Sequence, residues 1–596
     1  MKEKKRISVG FVIALTIVSA LMLAVLEFNK SRLYGFILMP VLIGLFVCFY
    51  VKVLKKRGAL IKVLGWLLYV AAFVGLTVAT WPATKPVPAV KNKNPEKTEI
   101  IHIPQGDLRG VYNEDKSVEV YTGIPYALPP VGELRFKKPV EAGPWEGVLE
   151  ADHFAPMSMQ PTHLPIYNSL AQFIGYHDYK ITMDDNYVAP VSEDSLYINI
   201  WKPAGEVSNL PVIVYVHGGS LQTGQPWYDD YSGMNLAKDG VIVVNMGYRL
   251  GVFGYYADEE LIAESDNGTT GNYGLLDQIL ALNWVNDNIA FFGGNPDNIT
   301  LAGESAGSAS VSGICASPLA KGLFERAVLE SSTLVPVEPT HSFRLLNEAL
   351  ESGNELKKRY NCKNVSDLRK LSAKDLVGEA ETQHHMTVDG YALIKTPYET
   401  YMEGEYNEKA IIHGYNHLEA AAFILFDGAN LKNYEDKMRG YFGDYYDEAM
   451  ALYPAASDKE AAANWEEIWG AVFFDYLHYC LNRMAVKNDI PVYEYYFTKE
   501  NGRIGSWHSG EEVYLYGNIP EDSELYDDYD RYLSDVMKNY FINFATTGNP
   551  NGKGLPVWEQ NLTSDNVLEF GDNFGMIKEE EHALFELLDK MQGFEY

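Results

Sequence analysis

The stretch NITLAGESAGSASV, Asn298–Val311, decides the reading of this chain. Asn298–Gly303 is an Ile/Leu/Ala run of strand type, and the residues from Ser305 on are small and of helix type. A single serine stands at the junction between two glycines, Gly303-Glu304-Ser305-Ala306-Gly307. A strand that turns at once into a helix leaves its central residue on strained backbone with the side chain exposed, the geometry of a nucleophile elbow. Glycines two residues on either side remove the Cβ atoms that would collide in so tight a turn.

The sequence around the elbow is of α/β type. Leu210–Gly219 (LPVIVYVHGG), Gly240–Arg249 (GVIVVNMGYR) and Asn298–Gly303 are short apolar runs, and Gly274–Gly294 between the last two has apolar residues at helical spacing. Continuous apolar strands alternating with helices indicate a large, mostly parallel sheet covered on both faces. In such a sheet, functional groups belong in the loops at the carboxyl ends of the strands. His217-Gly218-Gly219 ends one strand, and consecutive glycines let backbone N–H groups converge on one point. With the N–H of the residue after the serine, Gly218, Gly219 and Ala306 are the expected oxyanion donors. His217 is expected to hold the loop rather than act on substrate.

An activated serine needs a base and an orienting carboxylate, in the chain order serine, acid, histidine. Asn407–Phe423 (NEKAIIHGYNHLEAAAF) reads strand, Gly/Asn loop, helix, with Glu419 at the entry to the helix. His413 and His417 are four apart but flank Gly414 and Asn416 in a loop, which argues against a shared metal. Of the histidines after Glu419, His478 lies in an apolar run and His582 in a terminal helix, while His508 lies in the Gly/Ser loop NGRIGSWHSGEE. Loops carry catalytic groups more often than cores do, which favours His508 as the base.

Charge is unevenly distributed. Residues 1–98 hold 15 Lys+Arg against 3 Asp+Glu, leaving 34 against 77 for residues 99–596. So acidic a domain is a poor partner for nucleic acid. Ile7–Leu26, Leu33–Val51 and Val63–Trp81 contain no charged residue and are long enough, or nearly so, to cross a bilayer. Lys2, Lys4, Lys5 and Arg6 precede the first, and Lys52, Lys55, Lys56 and Arg57 follow the second, against Lys30 and Arg32 in the first loop. The positive-inside rule then puts the N-terminus in the cytoplasm and everything after Trp81 outside. The expected organisation is a multi-pass membrane region of three transmembrane helices over residues 1–82, an extended Pro/Lys-rich linker over 83–98, and one large extracytoplasmic domain over 99–596. The four cysteines, Cys48, Cys315, Cys362 and Cys480, have neither metal-site nor disulfide-framework spacing.

The large domain resembles the type-B carboxylesterases, a family on the α/β-hydrolase fold that also holds the cholinesterases and the non-enzymatic neuroligins. The motifs that carry the resemblance are FGGNPDNITLAGESAG (Phe292–Gly307), SEDSLYINIWKP (Ser192–Pro203), GIPYALPPVGELRFKKP (Gly123–Pro139), YRLGVFGY (Tyr248–Tyr255) and NFATTGNPNGKGLPVW (Asn543–Trp558). It implies a triad of Ser305, Glu419 and His508, with an acidic residue, Glu511, three positions after the histidine, and structural ion pairs Arg135–Glu193 and Arg249–Asp277. It implies hydrolysis of small carboxylic esters through an acyl-enzyme, with no cofactor and no metal. A neuroligin-like adhesion domain without catalysis is the alternative on the same fold, and the retained serine and histidine favour the enzyme. Two departures stand out. The resemblance places a disulfide where this chain has Ser158 and Ser195, and the tryptophan that choline-binding relatives carry before the SED motif is absent.

Overall fold

A computed structural model describes residues 8–162, 187–336, 343–382, 384–421, 423–424, 427–500, 506–521, 523, 525–562, 566–578 and 582–596. The chain forms two compact units. The first holds three apolar helices, α1 (Val9–Phe28), α2 (Leu33–Phe49) and α3 (Ala59–Ala79). A π-turn at Tyr50–Leu54 prolongs α2, and all three are long and apolar enough to cross a membrane. Several of their aromatic residues turn inward: Tyr50 stacks on Phe11 at 3.5 Å and Tyr69 on Phe46 at 4.3 Å. Ser19 Oγ and Tyr69 OH satisfy each other at 2.9 Å, so no hydroxyl is left facing hydrocarbon there. Leucines and isoleucines such as Ile17, Leu21, Leu45 and Leu67 face outward and are more than half exposed, the inverse of a water-soluble bundle.

The second unit is built on an eleven-stranded sheet. Its strands are β1 (Val111–Tyr112), β2 (Val118–Pro125), β3 (Tyr197–Pro203), β4 (Leu210–Val216), β5 (Ile242–Met246), β6 (Gly294–Glu304), β7 (Arg326–Glu330), β8 (Ile411–Asn416), β9 (Val492–Phe497), β10 (Asn566–Phe570) and β11 (Gly575–Lys578). Across the sheet they run 11-10-9-8-7-6-4-5-3-2-1. The seven strands from β4 to β10 are parallel to their neighbours; the edges, β1 to β3 and β11, are antiparallel. This is the α/β-hydrolase fold. The parallel part is buried on both faces, which is why its strands read as unbroken Val/Ile runs rather than alternating ones.

Strand β6, which leads into Ser305, lies at the centre, with β4 on one side and β7 on the other. It is longer than its apolar run suggests, because Gly294 already pairs with Leu210 before a bulge restores the register at Val212–Ile299. Helix α4 (Tyr273–Asn288) precedes β6, and α5 (Ala306–Ala316) follows it. Nearly every residue of α5 is buried, so the run of small residues is a packing requirement. A Cβ on Gly307 would lie 2.0 Å from the Val216 carbonyl oxygen, and one on Gly303 would lie 2.6 Å from the Gly307 carbonyl carbon.

Of the segment read as an extended linker, the later part packs on this unit. Val87–Pro88 pairs antiparallel with His153–Phe154, Ala89 N–H donates to the Asp152 carbonyl at 2.9 Å, and Lys97 bridges to Val111. Val87, Ala89 and Val90 are all buried, so the apolar residues between the prolines find partners that the local sequence does not announce. Among the described residues the four cysteines are free thiols, with Cys315 and Cys480 buried. Ser158 and Ser195 face each other, Oγ to Oγ, at 2.9 Å.

Candidate active site

Ser305 sits between β6 and α5 with φ 56° and ψ −126°. That is left-handed backbone which non-glycine residues rarely adopt, and it is held by the Ser305 N–H donating to the Glu330 carbonyl at 2.8 Å. Four more non-glycine residues in this region have the same handedness: Ser220, Leu221, Ser331 and Ser509. Backbone strain of this kind costs of order 1–3 kcal/mol per residue and persists where the surroundings over-determine it.

Two loops meet the elbow. Strand β8 runs further than the sequence suggested, through Asn416, so Gly414 lies in the strand, where a Cβ would sit 2.3 Å from the Tyr495 carbonyl oxygen. The residues after it, around Glu419, form turns rather than the helix entry expected, and the loop is tied to the histidine loop by Leu418 N–H donating to the Ser506 carbonyl at 2.9 Å. The second loop, after β9, carries His508. His508 Nε2 lies 2.8 Å from Ser305 Oγ, and His508 Nδ1 lies 2.6 Å from Glu419 Oε2. In the neutral imidazole that this arrangement accommodates, Nδ1–H donates to the carboxylate and Nε2 accepts from the serine hydroxyl. The sequence-derived residues Ser305, Glu419 and His508 are therefore in hydrogen-bond contact across 203 residues of chain.

Glu419 is 1% exposed. Burial pushes its carboxyl up to about 8, while the Ser331 hydroxyl and the Asn416 N–H, 2.8 Å from Oε1, draw it back. More acid surrounds the triad than the sequence reading anticipated. Glu304 Oε1 lies 3.2 Å from His508 Nε2 and accepts from Ser509 Oγ at 2.6 Å. Glu511 accepts from Asn416 Nδ2, from Ser331 Oγ at 3.2 Å and from Tyr495 OH at 3.3 Å. Burial pushes both carboxyls up to about 7, and the proximity of His508 pulls each down. Glu512 takes the Tyr215 hydroxyl. Aromatic rings close over the imidazole: Phe423 meets it edge-on at 5.2 Å and Phe474 lies tilted against it at 4.9 Å, with Trp469 stacked on Phe423 at 5.3 Å. Phe474 comes from a π-turn, Ala471–Asp475, between α6 (Asp458–Gly470) and α7 (Tyr476–Lys487), a contact for which the sequence held no signal. Glu304 lies inside the motif already singled out and could have been found by its adjacency to the nucleophile.

The glycine loop after β4 lies against the elbow. A Cβ on Gly218 would meet Ser305 Cβ at 3.0 Å and Glu304 Oε2 at 2.8 Å, so only glycine allows so close an approach. Gly219 has φ 104°, and its carbonyl accepts from the N–H groups of Gln222 and Thr223. His217 is buried, stacks on Tyr248 at 4.5 Å and donates from Nδ1 to the Gly218 carbonyl at 2.9 Å, and burial pulls its pKa down to about 4. It holds the loop. His413 is no loop ligand either: it sits in β8 with Nδ1 3.1 Å from His478 Nδ1, both rings fully buried. Both ion pairs implied by the resemblance are present and bidentate, Arg135–Glu193 at 2.6 and 2.6 Å and Arg249–Asp277 at 2.8 and 2.7 Å.

Residues 97–585 match the sequence profile described as the carboxylesterase family. The chain is 29% identical over 539 residues to fumonisin B1 esterase of Sphingopyxis macrogoltabida, covering 86% of this chain and 94% of the relative. It is 31% identical over 518 residues to carboxylesterase 1C of Rattus norvegicus, covering 80% and 90%. A solved structure of a PNB esterase superposes with a TM-score of 0.69 at 26% identity, over 82% of this chain and 99% of the other. With its α/β-hydrolase sheet and central elbow, this chain belongs to the carboxylesterase family and is a carboxylesterase.

Proposed function

We propose that the protein is a membrane-anchored hydrolase of small carboxylic esters that works through Ser305, His508 and Glu419 and an acyl-enzyme. The observation that carries this reading is the bridge that His508 makes between Ser305 Oγ and Glu419 Oε2. His508 Nε2 takes the hydroxyl proton as Ser305 Oγ attacks the ester carbonyl, and returns it to the departing alcohol oxygen. The tetrahedral oxyanion is met by the N–H groups of Gly218, Gly219 and Ala306. Water then attacks the acyl carbon as His508 Nε2 takes its proton, and the acid leaves as that proton passes to Ser305 Oγ and the bond from Oγ to the acyl carbon breaks. Glu419 accepts from Nδ1–H and, in its ionised form, opposes the charge of the imidazolium in a site with little water to screen it. Ser305→Ala tests the reading: hydrolysis of p-nitrophenyl acetate should fall by at least about 10³-fold, and labelling by a fluorophosphonate should vanish. Turnover of the activated ester at the wild-type rate by that variant would overturn it.

The same reading has residues 1–82 crossing the membrane three times and the hydrolase domain, from 99 on, outside the cytoplasm. Loop charge supports that orientation. Thr84, Lys85 and Pro86 are exposed. Protease added to intact cells should therefore release soluble active esterase, and protection until permeabilisation would reverse the orientation.

A further inference from the structure

We infer that Asn416 is a positioning residue that locks the acid loop to the histidine loop; the inference rests on the triad reading above. Asn416 ends β8 and is 1% exposed. It touches all the parts that must stay in register. Its backbone N–H donates to Glu419 Oε1 at 2.8 Å. Its side-chain nitrogen donates to the carbonyl of Trp507, the residue before His508, at 2.9 Å, and also to Glu511. One residue thus fixes the Glu419 carboxylate from one side and the backbone that carries the imidazole from the other. Glu511 is tied in turn to Ser331 and Tyr495.

The chemistry of the two partners explains why this position holds asparagine. A carbonyl oxygen can only accept, so the group facing Trp507 must be a donor, which also fixes which end of the amide is nitrogen. Two acceptors converge on one atom, and a neutral NH2 supplies two hydrogens there. Aspartate would turn an acceptor toward the carbonyl and add charge beside Glu511. Leucine would fill the space and donate nothing. The amide oxygen, Oδ1, is buried with no hydrogen-bond partner. A buried polar atom without a partner is costly, so a residue selected for packing alone would be apolar. The amide is kept for its two hydrogens.

The function of those hydrogens follows from the tolerances of the triad. The hydrogen bonds at 2.6 and 2.8 Å leave little room, and a displacement of about 1 Å at a reacting group costs on the order of 10²-fold in rate. Without the Asn416 amide, the histidine loop remains linked to the acid loop by Leu418 N–H and by the His508–Glu419 bond itself. The domain should fold while the imidazole drifts. Asn416 is 1% exposed and so closed to substrate, and the loss therefore falls on kcat rather than on KM.

The test is Asn416→Leu in the full-length chain, with Asn416→Ser as the second variant should the first not fold. Sites competent for attack are counted by fluorophosphonate titration, and kcat and KM for p-nitrophenyl acetate are expressed per titrated site. The expected result is a kcat lowered about 10- to 100-fold with KM within about threefold. A kcat per titrated site within twofold of wild type, in whichever variant folds, would overturn the inference whatever happens to Tm. Ser305→Ala run alongside separates the two readings: wild-type turnover in that variant sinks the triad, whereas unchanged turnover only at position 416 sinks the clamp alone.

Discussion

Exchanging Ser158 and Ser195 together for cysteine should close a disulfide and stabilise the hydrolase domain. The two hydroxyl oxygens are 2.9 Å apart and buried, at the positions where the family resemblance places a bridge. The bond would close a loop of 37 residues, Ser158 to Ser195, which in the chain-entropy account stabilises by about 4 kcal/mol at 25 °C. Two hydrogen bonds are lost in exchange. Ser158 Oγ donates to the Tyr248 carbonyl at 2.5 Å and accepts from Ser195 Oγ, and each bond contributes about 1 kcal/mol net. The net gain is about 2 kcal/mol. Unfolding entropy near 2.1 cal/mol/K per residue, over roughly 500 residues, converts that into a Tm rise of about 2 °C. The measurement is differential scanning fluorimetry of the oxidised double variant with and without dithiothreitol, beside wild type. Thiol titration checks closure. If the two thiols stay titratable after oxidation, the side chains do not face each other as described. If the bridge forms and Tm does not rise under oxidising conditions relative to reducing ones, the entropy argument is wrong for this loop.

Two further outcomes are expected. Stability should peak near pH 4.5, because above it three buried carboxyls lose stabilisation while only two buried histidines gain it. Burial raises Glu304, Glu419 and Glu511 to about 7, 8 and 7, so each favours the folded state most below about pH 4.5 and loses that contribution as pH rises through 7 to 8. Burial lowers His217 and His413 to about 4 and 3, so the unfolded chain takes up protons first and their contribution falls from about pH 6.5 downward, by about 3 kcal/mol for His217 alone at its limit, which sets the acid limb below about pH 4.5. A Tm that is flat from pH 4 to 9 would refute this account. Gly307→Ala places a Cβ 2.0 Å from a backbone oxygen that cannot yield, so soluble yield should drop and fluorophosphonate labelling with it, a cost of about 3 kcal/mol or more. Wild-type yield and labelling would show that α5 can move away from β4.

The parts of the site legible in the sequence are those whose constraint is local. The turn at Ser305 admits only glycine two residues either side, so Gly303 and Gly307 announce it. The parallel strands announce themselves because both faces are buried. His508 was favoured by its loop and then fixed by resemblance, since spacing alone says little about a residue 203 positions from its partner. What stayed hidden depends on distant partners. Gly414 read as loop because its need for close approach to Tyr495 appears only when β8 and β9 pair. Phe423 and Phe474 meet at His508 because a π-turn rotates one of them inward. Val87–Val90 read as linker because their cover comes from residues near His153. The Asn416 side chain joins two loops 91 residues apart, beyond any local pattern.

The strand order has a consequence for biosynthesis. Read from one edge to the other, the sheet follows chain order with a single exchange, β4 with β5. With β5 set between β3 and β4, a chain emerging from the ribosome can add every strand from β6 on to an edge already formed, with the elbow strand laid down midway. Ser305 is then in place long before His508 exists. At about 5–20 residues per second, the 203 residues that separate Ser305 from His508 take roughly 10–40 s to synthesise. Throughout that interval the nascent domain exposes the edge of β6, then of each later strand, as the template for the next. Nascent chains stalled between Glu419 and His508 would carry Ser305, the glycine loop and Glu419, but not the base of the proposed triad. With the proposed triad, activity begins only when almost the whole chain has been made.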